Sequence, residues 1–265
     1  MLEGQRNVIV GEVDSFDELL AYLRDGDPKG ESFQDDIESM MDVSNFFDYI
    51  AIQIYIDNTD WPENNIRYWK SRKPEGRWNW IPFDLDGGFD IQHTGPDRNL
   101  LSDIIGTRNQ SFRPAWIRYI VQRLLQNSDF EQRFIQRFQD LLNTTFSAGA
   151  VLTKAEKLER RLAPEIDRHV ERWGGSSSLD FVSFDSKAQW LEYTDVVKTF
   201  AVSRPAIVRE HLKEVFGLGM EYELELVLPE ASEGSVRVNG LPLERSAPSW
   251  RGKYFDGASL LVEAV

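Results

Sequence analysis

The sequence predicts a mainly helical protein with one β-hairpin, followed by a small all-β unit at the C-terminus. Three observations predict it. Apolar residues recur every three or four positions over most of residues 1–217, the period drops to two on either side of Lys73-Pro74-Glu75-Gly76, and it drops to two again beyond Gly217-Leu218-Gly219. The chain is therefore expected to divide into a first domain at 1–217 and a small, separate β module at 218–265.

Taken in order, Phe16, Leu19, Leu20 and Leu23 share one face of a helix over Ser15–Arg24. Asp14 or Ser15 is expected to cap it, and Gly26, Pro28 and Gly30 end it. A second helix over Val43–Ile56 is apolar nearly all round, with Phe46, Phe47, Ile50, Ile54 and Tyr55, so it belongs in the centre of the core. Asp42 or Ser44 is placed to cap it, Asp57 and Asn58 read as its C-terminal turn, and Pro62 prevents an immediate return to helix. From Ile66 to Phe83 the alternation of Ile66, Tyr68, Trp78 and Trp80 around the turn predicts the hairpin. Asp84-Leu85-Asp86-Gly87-Gly88-Phe89 breaks it, and an aperiodic loop is expected to about Gln110. Long helices follow, at about 114–126, 128–144, 148–173 and 186–216, with a flexible break at Gly174-Gly175-Ser176-Ser177-Ser178. In the tail, Tyr222, Leu224, Leu226 and Leu228 alternate with acids, and Val236-Arg237-Val238-Asn239-Gly240 is a hairpin signal.

Composition bounds the function. The 265 residues include 30 basic and 44 acidic side chains, a formal charge of −14, and the isoelectric point is near 4.7. Nucleic acids and anionic membranes are bound through positive stripes, so this balance argues against both as partners. With 12% aromatic and 41% apolar residues the chain is too hydrophobic for disorder, and at this length it buries enough surface to need no covalent staples. The absence of cysteine removes disulfides, thiolate zinc sites and a cysteine nucleophile. No apolar run reaches the roughly 18 residues of a transmembrane candidate. Met1-Leu2-Glu3-Gly4 has neither the basic flank nor the apolar stretch of a secretion signal, and the start reads as a cut made inside a longer protein.

The stretch from Asp57 to Phe89 carries the chemistry. Asp60, Asn64, Asn65, Asp84 and Asp86 all fall at loop positions between the buried helix and the hairpin. Asp60 is followed by four residues and then Asn65, the spacing of a protein-kinase catalytic loop, where the Asp accepts a hydroxyl proton and the Asn holds magnesium. Asp84, leaving the second hairpin strand, is placed to supply another metal contact, and Asp86 to join it. Two acids one residue apart repel unless a cation sits between them. Magnesium takes oxygen ligands, commonly one or two carboxylates with phosphates and water, and an amide oxygen adds a ligand without adding charge. A chain this acidic cannot hold a triphosphate by net attraction, so the metal carries the phosphates, helped by Arg67, Lys70, Arg72, Lys73 and Arg77 around the hairpin.

At these residues the chain resembles the spore-coat protein H (CotH) family of atypical protein kinases. The resemblance rests on Asn58-Thr59-Asp60, Asn65, Tyr68-Trp69, Gly76, and Trp78-Asn79-Trp80-Ile81-Pro82-Phe83-Asp84-Leu85-Asp86-Gly87-Gly88-Phe89. A second stretch, Pro164 to Gly174 with Trp190 and Arg204-Pro205, is also family-like, so the likeness spans about residues 10–217. It implies a kinase-like C-lobe, ATP with Mg2+ or Mn2+, and phosphorylation of serine-containing proteins. It also implies Asp60 as catalytic base, with Asn65, Asp84 and Asp86 as metal ligands. A kinase's phosphate-covering loop and phosphate-holding lysine have no counterpart before Asp57, where the one lysine is Lys29. The chain is therefore expected to be a C-terminal lobe fragment that binds nucleotide weakly and is inactive unaided.

Two other functions compete. Asp84-Leu85-Asp86 could be the Asp-x-Asp of a nucleotide-sugar glycosyltransferase, but the βα units such a fold needs upstream are helices here. A non-catalytic scaffold or adhesin of a cell surface or spore coat is the other alternative. Relatives in spore coats and exported proteins make an extracytoplasmic location the expectation. His93, His169 and His211 lack ligand spacing and are expected at the surface or in helix packing, and Trp173 and Trp190 between helices. Arg172 is expected either in a helix-end salt bridge or beside an acid of the candidate loop. The tail, with Trp250, Tyr254 and Phe255, is expected to be a passive spacer.

Overall fold

The computed structural model describes residues 1–4, 6–106, 115–174, 184–228, 234–243 and 248–265. Short strands β1 (Leu2–Glu3) and β2 (Asn7–Val8) precede helices α1 (Asp14–Asp25), α2 (Phe33–Met40) and α3 (Val43–Ile56). The hairpin β3 (Ile66–Lys70) and β4 (Trp78–Pro82) follows, then α4 (Leu100–Ile105), α5 (Ala115–Leu124), α6 (Ser128–Asn143), α7 (Ala148–Leu162), α8 (Ile166–Trp173) and α9 (Lys187–Phe216). Strands β5 (Glu221–Val227), β6 (Val236–Val238), β7 (Leu241–Pro242), β8 (Ser249–Phe255) and β9 (Val262–Ala264) close the chain. The protein is thus mixed, helical for the most part, with small antiparallel sheets. Among the described residues no helix is long and apolar enough to cross a membrane.

Because α3 is apolar nearly all round, it sits where most of its surface is covered: Phe46, Tyr49, Ile50, Ala51, Ile54 and Tyr55 are each buried. Asp42 caps it, its carboxylate accepting from the Asn45 amide at 3.0 Å. On one side lies a four-stranded sheet in the order β2-β1-β3-β4. Alternation puts Ile66, Tyr68, Trp78 and Trp80 on its inner face with Leu2, and turns Arg67, Trp69, Asn79 and Ile81 outward. Phe46 meets Trp80 with ring centroids 4.5 Å apart, and Phe16 of α1 meets Tyr68 at 4.6 Å. Rings of this size each contribute about 2–3 kcal/mol by leaving water, so this junction adds substantially to the stability of the core. On the other side, α6 supplies Phe130, Phe134 and Phe138, and α9 supplies Val208 and Leu212.

Several elements depart from expectation. Helix α1 starts at Asp14, so Asp14 and Ser15 lie inside its first turn and neither caps it; Val13 holds that position with no side-chain bond. The segment expected to be loop to about residue 110 contains α4, capped by Asn99 through the Ser102 amide at 2.9 Å and buried through Leu100, Leu101 and Ile104. The single helix expected over 148–173 is two, separated by a 3-10 turn at Ala163–Glu165, because Pro164 lacks the amide an α-helix needs. Gly174 ends α8, while the rest of the expected break, 175–178, lies outside the described residues. Strands β1 and β2 and helix α2 were not anticipated at all.

In the tail, β5 pairs with β8 and β6 with both β7 and β9. Asn239 and Gly240 both take positive φ, 52° and 76°, the turn that matches the twist of two short strands. Strand β8 lies along α6. The Phe255 amide donates to Gln139 at 2.7 Å, the Lys253 amide to Asn143 at 2.9 Å, and the Tyr254 hydroxyl to Asp140 at 2.8 Å. Phe255 is buried within the main core rather than within the tail.

Candidate active site

The site begins where α3 ends. Asp57 adopts left-handed backbone at φ 53°, which terminates the helix, and its side chain is buried. Asn58 is fully buried and works in two directions: its amide donates to Gln53 at 2.9 Å, and its oxygen accepts the Asp60 backbone N–H at 3.1 Å. The next indole, Trp61, is buried and donates to the Tyr49 hydroxyl at 2.7 Å. Between these two anchors the Asp60 carboxylate is fixed by two amides, one oxygen accepting from Asn64 at 2.8 Å and the other from Asn65 at 2.7 Å.

The second half of the site is the loop that leaves β4. It is stitched to the first. The Gly87 carbonyl accepts from both the amide and the hydroxyl of Thr59, at 3.0 and 2.9 Å, and the Phe89 amide donates to the Ile56 carbonyl at 2.7 Å. The loops approach so closely that a Cβ at position 87 would lie 2.7 Å from the Asn58 side-chain oxygen and 3.1 Å from Asp60 Cβ. Glycine is required there by space.

These contacts bring Asp84 and Asp86 into the same field as Asp60. The Asp84 carboxyl is held above the usual carboxylate range, first by the charge of Asp86, then by partial desolvation, with Asp60 adding to the effect and Arg67 opposing it. Asp84 and Asp86 are exposed, so a ligand can reach them. Arg67 lies over the Phe83 ring, 3.5 Å from its centroid, and pairs with Glu3 at 3.3 Å.

Of the five cations expected to help, Arg67 therefore stands by the acids. Arg77 is instead committed to Asp42, at 3.5 Å, at the start of α3. Lys70, Arg72 and Lys73 line a groove of about 990 Å³ between the hairpin turn and the segment around Val10. Arg172 lies over the Trp173 ring rather than beside the acidic loops. Trp190 is buried, but Trp173 is more than half exposed, contrary to expectation, because α8 presents it outward at its last turn. His211 is buried in α9, His169 stacks on Phe184 and His93 faces Tyr193.

The described residues contain no group of three or more His, Cys, Asp or Glu gathered to hold a metal ion. An all-protein cage is thus missing among them, but a phosphate-bridged magnesium site draws on only one or two carboxylates. The donors fit that kind of site: two mutually repelling carboxylates, open to solvent and within the field of Asp60, whose partner Asn65 donates to it through its amide nitrogen and keeps its oxygen for another contact. Sequence reasoning missed Asn58, which it read as turn chemistry. The available signal was Gln53, an amide set among Ile50, Ala51, Ile54 and Tyr55 near the end of an apolar helix, needing a buried partner.

A sheet-backed helix thus ends in a loop carrying one oriented carboxylate, and a glycine-tight second loop brings two more acids beside it. The family model described as CotH kinase protein matches residues 3–208, and the chain belongs to that family. No curated protein matches it.

Proposed function

We propose that this CotH-family chain is the part of an atypical, metal-dependent protein kinase that carries Asp60 as catalytic base and Asn65, Asp84 and Asp86 as ligands for Mg2+ or Mn2+. ATP is the phosphate donor and a serine-containing protein the acceptor. The observation that supports it most strongly is the pinning of Asp60 by Asn64 and Asn65 beside the Asp84–Asp86 pair. Two amide donors hold the Asp60 carboxylate in one orientation, as a base that takes a proton from a serine hydroxyl must be held. The metal, when bound, neutralises phosphate charge. Asp84 and Asp86 supply carboxylate oxygens for it, and Arg67 adds a cation on the same side. In this reading the region up to 217 is a kinase-like C-lobe, the module at 218–265 is an appendage to it, and the protein works outside the cytoplasm.

Lys29, the one lysine before Asp57, is exposed in the turn between α1 and α2. This reading expects weak nucleotide binding and no unaided transfer by this chain, Lys29 lying in an exposed turn rather than in a phosphate site. Robust transfer of labelled phosphate from ATP to casein by this chain alone would contradict that. The reading itself is tested by thermal stabilisation with Mn2+ and ATP together. Asp84→Asn should abolish most of the stabilisation, and Asp60→Asn should reduce it less, because Asp60 serves the acceptor rather than the metal. Equal indifference of both variants would favour a non-catalytic scaffold.

A further inference from the structure

We infer that Arg204 is a positioning residue for this site: from α9 its buried guanidinium clamps the C-terminal end of α3 to the 96–98 loop and so sets where Asp60 stands relative to Asp84. The inference rests on the proposed role of those acids.

The last carbonyls of a helix have no partner within it, and they carry the negative end of its dipole. At the end of α3 two of those carbonyls, Ile54 and Tyr55, are claimed by one side chain. Arg204 donates through Nε to the Tyr55 carbonyl at 2.9 Å and through one terminal nitrogen to Ile54 at 2.6 Å. The other terminal nitrogen reaches the carbonyls of Arg98, at 3.2 Å, and Pro96. Arg204 is completely buried. Burying a guanidinium is costly, and its charge is answered by Asp57, which is itself buried and lies 3.6 Å from Arg98. Only a planar fork spans two segments in this way; a lysine presents its donors from a single point.

What the clamp holds leads directly to the acids. Tyr55 is followed by Ile56, whose carbonyl ties down Phe89, and by Asp57 and Asn58, whose side chain catches Asp60. Thr59 then ties down Gly87, one residue from Asp86. A shift at the end of α3 is therefore passed to both loops by short hydrogen bonds.

Hydrogen exchange on the full chain tests this without any ligand. In Arg204→Met, the amides of Asp57, Asn58, Thr59 and Phe89 should lose protection at least tenfold, while the β5–β8 ribbon keeps its own. Arg204→Lys should recover part of the loss, and Mn2+–ATP should bind the Met variant about tenfold more weakly. Unchanged protection at 57–60, or an equal loss there and in the ribbon, would overturn the inference. Should the Met variant fail to fold, the Lys variant decides by the same comparison of the two regions. If the wild-type chain shows no response to Mn2+ and ATP, the proposed function fails, whereas the exchange result still judges the clamp.

Discussion

Asp84 is the residue where crowding of charge is most evident. Its carboxyl titrates above the ordinary range because Asp86 and Asp60 disfavour its ionised form. A cation binds the ionised form. Stabilisation by Mn2+ and ATP should therefore be full above the Asp84 pKa and fade as pH falls through it, at a higher pH than ordinary aspartates would give. Asp86→Asn removes the largest cause of the shift, so the fade should move to lower pH even as the maximum effect shrinks. Melting curves with and without Mn2+–ATP across pH 3.5–7 check this. As candidates, Asp60 and Asn65 stood out by their spacing, and Asp84 and Asp86 by their place where the hairpin ends. Asn58 was not, since a buried asparagine and a turn asparagine look alike until the partner is known.

At the scale of elements, the site depends on how closely one loop rides over the end of one helix. The missing Cβ of Gly87 is what permits it. In Gly87→Ala the added carbon would meet the Asn58 oxygen and the Asp60 backbone, neither of which is free to swing away. Overpacking of this kind costs about 1–3 kcal/mol, and the Mn2+–ATP response should fall with it. A denaturant titration and the same binding assay measure both, and an unaffected response would mean that the loops tolerate separation. The helix α3 and the β3–β4 hairpin were plain in the sequence because one is apolar nearly all round and the other alternates about a Pro-Glu-Gly turn. Helix α4 was hidden by its shortness, and the division between α7 and α8 by a helical period that continues past Pro164.

At the scale of the molecule, the tail is bound to α6 through a buried acid. Asp140 accepts from Tyr254 at 2.8 Å and from Asn239 at 2.8 Å, and burial pushes its carboxyl up to about 6. A carboxyl raised on folding holds its proton more tightly in the native state, so its contribution to stability is present below the unfolded pKa near 3.9 and lost as pH rises toward 6. Relative to Asp140→Asn, the wild-type chain should lose up to about 2–3 kcal/mol between pH 4 and pH 7. Parallel pH-dependent unfolding of the two proteins checks this; parallel curves would remove Asp140 as the cause. Arg137, on α6 with Asp140 and paired at 2.6 Å with Asp48 of α3, opposes the rise in the Asp140 carboxyl without reversing it.

The sequence by itself determined the helical periods, the two kinds of β segment, the acids and amides of the candidate site and the family. All of these are encoded within short windows, where spacing and turn chemistry act on neighbours. Tertiary structure alone decided that Asn58 supports Asp60, that Arg204 closes a helix 150 residues earlier in the chain, and that Asp140 receives the tail. The physical reason is common to the three. A buried polar side chain is defined by a distant partner that satisfies it, and such a partner leaves no local periodicity to read.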